Sequence, residues 1–224
     1  MHACEALILK TVRYQARDQV VTAFSGSRGL FSFFMKGLKT RPLLEPLMHC
    51  ELVTAESKGE LERLIDVSVL NRYEPLRLTL SKLKAASQIG NLLLKTQLPL
   101  KPAKALYACM LAHFEWLTNT DKSEHVLASF QVKLLKSEGL IKLSKTCTQC
   151  KKTAQSVQRG ESLCQEHLGP FDRSSYTKSF HALLQLYELK KFAAIESIFL
   201  SEDILKDVHL LFEELTEANL QAKR

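Results

Sequence analysis

The hydrophobic period of this chain changes once, near residue 73, and that change limits what it can fold into. Before it, apolar and β-branched residues come in short runs with two-residue alternation, at 5–12, 19–24, 30–36, 49–55 and 61–70. In the last run Ile65, Val67 and Val69 are expected on one face, with Asp66 and Ser68 on the other. Turn formers separate the runs: Ser25-Gly26-Ser27-Arg28-Gly29, the stretch 37–46, and Ser57-Lys58-Gly59. Five short strands with a long third connection predict a small closed barrel. The five-stranded OB-fold is the simplest answer, and an SH3-like barrel or an open sheet would give a similar pattern.

After residue 73 the period is helical. Leu76, Leu80, Leu83, Ala86 and Leu93 fall near one face of a helix that ends before Pro99. Pro102 suits the start of a helix over 101–116. Ser123 is expected to cap a helix over 124–137, and Gly139 to stop it. Ser201 caps a last helix with Glu202 and Asp203 in its first turn and Ile204, Val208, Leu211 and Leu215 in one stripe. The fold class is therefore α+β. Residues 1–72 form an all-β domain and 73–224 a helical domain, with an insert at 145–170.

That insert is polar and cannot bury enough apolar surface to fold by itself. It carries Cys147 and Cys150, then, after thirteen residues, Cys164 and His167. Two tight turns, each presenting two ligands, complete a tetrahedron of thiolates and one imidazole, with Arg159-Gly160 at the tip of a hairpin between them. One Zn2+ is the natural occupant. Four protein ligands leave no position for water, so the expected role is structural. The competing readings are a redox Cys-x2-Cys, which lacks a βαβ setting, and a deaminase-type zinc site, which would want His-x-Glu and a Pro before the Cys pair where Thr146 stands. Cys4, Cys50 and Cys109 read as buried small hydrophobes, and His113, His181 and His209 as structural.

The formal charge is +7, spread as net +4 over 1–48, +6 over 73–146 and −2 over 171–224. Solvated Lys-rich helix faces account for the middle segment. In the front segment, Lys36, Lys39 and Arg41 follow the third strand, while Arg13, Arg17 and Arg28 lie in neighbouring turns and strand ends. In a small barrel such loops converge on a rim that can track a sugar-phosphate backbone. Tyr14, Phe24, Phe31, Phe33 and Phe34 are the rings at hand. The phenylalanines read as barrel core first, and Tyr14 as the ring exposed to water. The nucleotide-binding patterns G-x-x-x-x-G-K-[ST] and G-x-G-x-x-G and the G-x-S-x-G elbow are absent from the sequence, and nothing nominates an enzyme. No apolar run reaches eighteen residues, and Met1-His2-Ala3-Cys4-Glu5 does not read as a secretory signal. A cytoplasmic chain is expected, a setting in which disulfides are rare.

Residues 5–14, Asp18-Gln19-Val20-Val21-Thr22-Ala23-Phe24, Gly29, Lys36-Gly37-Leu38-Lys39, Leu43-Leu44-Glu45-Pro46-Leu47 and His49-Cys50-Glu51-Leu52 together resemble the start of the RecO recombination-mediator family. A helical region interrupted by the Cys/His insert continues the resemblance over nearly the whole chain. It implies an OB-fold, a helical domain and, in many members, a zinc module. It also implies a non-enzymatic DNA-repair factor that binds single- and double-stranded DNA and anneals complementary strands. Such a factor contacts the single-strand-binding protein and works with RecR to load RecA. Lys36 and Lys39 match the family's basic K-G-x-[KR] segment, associated with DNA contact, and Arg41 extends it. Gln15-Ala16-Arg17 departs from a commoner small-acidic stretch, and His167 stands where other members have Cys. Some members lack the cysteines, so metal is not essential to the shared activity. The alternative reading is a zinc-containing protein-interaction scaffold without direct DNA binding. Its docking face would be the helical surface around Phe114 and Trp116, although core burial of both is the simpler expectation.

Overall fold

Alternating runs become strands where one face can be buried, and here all five runs do. The structure is a computed structural model that describes residues 1–14, 18–37, 43–57, 59, 61–168 and 176–222. Strands β1 (His2–Tyr14), β2 (Asp18–Ser25), β3 (Gly29–Met35), β4 (His49–Ala55) and β5 (Glu62–Asn71) close into a barrel in the order β1-β2-β3-β5-β4. The β3–β5 pair is parallel and the others antiparallel, which is the expected OB-type arrangement. Ile8, Val21, Phe31, Phe33, Met35, Met48, Leu52 and Leu64 are among the residues that fill it.

Of three register shifts among the described strands, two set which side chains point inward. In β1, Ile8 pairs with Ala23 and Lys10 with Thr22, so Leu9 is an extra residue. In β5, Asp66 pairs with Val53 and Leu64 with Thr54, so Ile65 is the extra one. Leu64 then takes the core position expected of Ile65, whose side chain is exposed. The run Ala6-Leu7-Ile8-Leu9 is buried on both faces of β1. Ala6 and Ile8 line the barrel, while Leu7 shares the outer face with its partner Phe24.

Helices α1 (Glu74–Leu78), α2 (Leu80–Thr96) and α3 (Lys104–Asn119) follow. Thr79 is extended, with φ −124° and ψ 123°, and interrupts the single helix expected from residue 74. The interruption shifts the helical phase, so Leu80 is exposed and Ala85, Ala86, Ile89 and Leu93 form the buried face. α2 packs on β1 and α3 on β2, where the ring of Phe24 meets that of Tyr107 at 6.0 Å. α3 begins at Lys104 rather than 101 because the preceding segment is tied to the barrel. Leu100 N–H donates to the Leu30 carbonyl and Ala103 N–H to that of Gly26. Gly29, at φ +70°, lies so close to the Lys101 carbonyl that any β-carbon would overlap it.

By contacts the chain divides into two compact units, Met1–Asp121 and Lys122–Arg224, and the change from strands to helices falls within the first. In the second, α4 (Ser123–Ser137) packs on α5 (Phe180–Glu188), α6 (Phe192–Glu196) and α7 (Glu202–Ala222). Ser123 is the first helical residue instead of the cap, and its buried hydroxyl has no hydrogen-bond partner among the described residues. Gly139, at φ +71°, ends α4 as expected, with Leu140 N–H donating to the Leu135 carbonyl. Ser201 caps α7 by accepting from Ile204 N–H at 3.3 Å. Strands β6 (Ser156–Gln158) and β7 (Glu161–Leu163) form the expected hairpin, turning through Arg159 and Gly160, both at positive φ.

Candidate nucleic-acid interface and metal centre

The insert folds around its four ligands. Cys147 N–H donates to the Lys152 carbonyl and Lys151 N–H returns to that of Cys147, with Lys151 at φ 66°, so the first Cys pair sits on a tight turn. Thr148 N–H reaches the Ser162 carbonyl and ties that turn to β7. The second pair flanks a 3-10 turn, Gln165–His167, closed by His167 N–H on the Cys164 carbonyl. All four ligand atoms lie within 4.8 Å of one another. Cys150 Sγ is 3.6 Å from Cys164 Sγ, and His167 Nδ1 lies 3.6 Å from Cys147 Sγ and 3.3 Å from Cys164 Sγ. A tetrahedron with zinc–ligand bonds of 2.0–2.3 Å has edges of about 3.5–3.8 Å. The residues present therefore fit a metal ion. Desolvation raises the Cys147 thiol, but the backbone N–H groups of Cys150, Cys164 and Gln149 and the His167 ring outweigh it and bring it down to about 6. These donors favour the thiolate, the form a metal ligand requires.

The second candidate site lies on the outside of the barrel. The strand registers place Val12 opposite Val20, Val20 opposite Phe34 and Phe34 opposite Arg63, one row across β1, β2, β3 and β5. Tyr14, two residues beyond Val12, meets Phe34 edge to face with ring centroids 6.1 Å apart. Tyr14, Val20, Phe34, Ser57, Gly59, Leu61 and Arg63 line a concave patch of about 430 Å³. Tyr14 is 54% exposed and Phe34 half-buried. Phe31 and Phe33 are barrel core as expected and Phe24 is buried beneath α3, but Phe34 belongs to this outer face. Lys36 is exposed two residues past Phe34, where Gly37 N–H donates to the Asp18 carboxylate at 2.8 Å.

The predicted basic residues fare differently. Lys36 and Tyr14 lie toward the same end of the β2–β3 hairpin. Arg28 stands at the other end and departs from the expectation. Its guanidinium makes a bidentate pair with Glu62 at 2.6 and 2.9 Å, touches Thr54 and covers the Phe31 ring at 4.2 Å. The pair compensates its charge within the barrel. Arg13 is exposed but pairs with Gln19, so it points away from the face that carries Tyr14. Arg17, Lys39 and Arg41 lie outside the described residues. Arg63, Val20 and Leu61 had no sequence signal. They join the patch only through strand register, which a one-residue bulge can invert.

Other expectations resolve by burial. Phe114 and Trp116 are buried, so the docking face of the scaffold reading is filled by the protein itself. Of the three cysteines expected to be buried, only Cys50 is, with its thiol pushed up to about 11, while Cys4, its thiol also raised by desolvation, and Cys109 are partly exposed. His113 Nδ1 contacts the Cys109 carbonyl at 2.7 Å one turn back. His209 is bonded to Gln131, and His181 is exposed.

A family model described as recombination protein O N terminal matches residues 1–73, and one described as recombination protein O C terminal matches residues 77–224. The chain belongs to the recombination protein O family. It is 24% identical over 226 aligned positions to a protein of Chlamydia pneumoniae named DNA repair protein RecO, covering 97% of this chain and 90% of that one. A protein of the same name from Chlamydia trachomatis serovar D is 25% identical over 185 positions, 79% and 76% of the two chains. Another from Syntrophus aciditrophicus is 26% identical over 164 positions, 70% and 63%. In this RecO-family chain the barrel face lies in the segment matched by the N-terminal model and the Cys/His cluster in that matched by the C-terminal one.

Proposed function

We propose that this chain is a recombination mediator in DNA repair. It binds single- and double-stranded DNA, anneals complementary strands and helps load the RecA recombinase onto DNA coated by single-strand-binding protein, acting with RecR. It works in the bacterial cytoplasm and breaks no covalent bond. Family membership supports a role in DNA repair and recombination. The observation that carries the DNA-binding part is the convergence of Tyr14, Phe34 and Arg63 on one outer face of an OB-type barrel, the surface this fold uses for oligonucleotides, with exposed Lys36 two residues past Phe34. In this reading residues 1–72 supply the nucleic-acid contact, with Lys39, Arg41 and Arg17 extending it, and residues 73–224 form the helical part. The insert at 145–170 holds one structural Zn2+ through Cys147, Cys150, Cys164 and His167. The zinc locks the two turns together and takes no part in DNA contact.

The test is a titration of labelled single-stranded DNA at rising salt, followed by a strand-annealing assay. Parent affinity should fall steeply with salt because phosphate neutralisation releases counterions. Lys36→Ala with Lys39→Ala should weaken binding in a protein that melts like the parent. Salt-insensitive binding, or a folded double variant with parental affinity at low salt, removes the assignment.

A further inference from the structure

The outer-face patch is too apolar to be explained by phosphate contact. Its floor is Val20, Phe34 and Leu61, and its wall is the ring of Tyr14, all beside exposed Val12. A duplex groove would offer its sugar-phosphate rails here, and those need cations rather than rings. An unstacked base, by contrast, brings a flat π-face and an apolar surface that pay little to leave water. The patch, about 430 Å³, lies within the size range of small-molecule pockets.

The charges around it fit the same occupant. Arg63 is exposed beside Phe34 in register, and neither it nor Lys36 is ion-paired among the described residues. Of the carboxylates nearby, Glu62 is held by Arg28 and Thr54, Asp18 accepts from Gly37 N–H, and Glu56 is exposed next to Ala55, the register partner of Arg63. A strand whose base enters between the rings would therefore find cations for its flanking phosphates.

We propose that this patch, taking the barrel to be the DNA-binding surface argued above, receives one unstacked nucleobase against the Tyr14 and Phe34 rings. The barrel then distinguishes single strands from duplex. Duplex binding runs through the cations alone, while single strands gain the stacking contact. During annealing the base leaves the rings when it finds its complement, so the contact is one that pairing itself releases.

The experiment compares three probes: a thymidine oligonucleotide, an abasic oligonucleotide of equal length, and a duplex. The proteins are the parent, Tyr14→Leu, Phe34→Leu and the double variant. Leucine keeps apolar bulk while removing the π-face. Loss of the stacked base should weaken thymidine-oligonucleotide binding about tenfold or more in the double variant and weaken duplex binding far less. The parent should prefer the thymidine probe over the abasic one, and the variants should lose that preference. Tyr14 is exposed, so Tyr14→Leu keeps the test open if a Phe34 variant fails to fold. Folded variants with parental preference for the thymidine probe overturn the base pocket while leaving DNA binding by the barrel intact. A loss equal on all three probes also overturns it. A parent that binds none of the probes overturns the DNA-binding reading, and this inference with it.

Discussion

The barrel and the Cys/His insert are both small β structures, held by opposite means. The barrel packs Ile8, Phe31, Phe33, Met35, Leu52 and Leu64 into a continuous interior. The insert has two three-residue strands and a buried cluster of Cys147, Leu163 and Cys164, with Cys150 and Leu168 against it. Most of that cluster is the ligand set itself. The barrel draws its folding free energy from apolar area, at about 25 cal/mol per Å². The insert buries little such area, chiefly at Ala154, Val157 and Leu163, and its four ligand atoms could add bonds to an ion.

That contrast can be broken most forcefully at the metal. Structural zinc supplies on the order of 10 kcal/mol to small modules of this type. Cys164→Ser, or treatment of the parent with a chelator, should remove stoichiometric metal and abolish amide-exchange protection over 145–168, with barrel protection unchanged. A metal-free protein whose insert stays protected would contradict the account.

The next largest effect is expected in the barrel. Phe33 is fully buried, so Phe33→Ala should cost about 3–5 kcal/mol in urea unfolding. Tyr14→Ala, at an exposed ring, should cost less than about 0.5 kcal/mol. Metal content should be the same in both. Equal destabilisation by the two changes would mean that the inner and outer faces are wrongly assigned.

The smallest effect concerns His49, whose Nε2 lies 2.9 Å from the Tyr107 hydroxyl, between β4 and α3. Burial lowers its pKa, against a smaller opposing pull from Glu5. The fold therefore favours the neutral ring, and protonation favours the unfolded chain. This stabilisation is complete above the ordinary histidine range and is lost as pH falls through the lowered folded-state value. The urea midpoint of the first unit should drop as pH falls from above the ordinary histidine range to below it, and His49→Gln should flatten the drop. An unchanged slope in that variant would assign the pH response elsewhere.

Much of this was legible because the relevant physics is local. Alternation marks a half-buried strand wherever it lies, and the barrel followed. Cys-x2-Cys and Cys-x2-His each make one tight turn, so the ligand set was readable from spacing. The failures are all non-local. Nothing within 61–70 reveals that a bulge will put Leu64 inside and Ile65 outside. Thr79 breaks a helix whose apolar spacing looked continuous. Arg28 looked available until Glu62, distant in sequence, neutralised it, and Phe34 looked like core until register set it beside Val20 and Arg63.

Gly29 pressed against Lys101, with Leu100 and Ala103 bonded to Leu30 and Gly26, has a practical consequence for anyone wanting the barrel alone. A fragment ending near residue 72 would uncover Leu7, Leu9 and Phe24 and invite precipitation. A truncation after Asp121 keeps their cover and is the shorter piece to express for crystallography or titration.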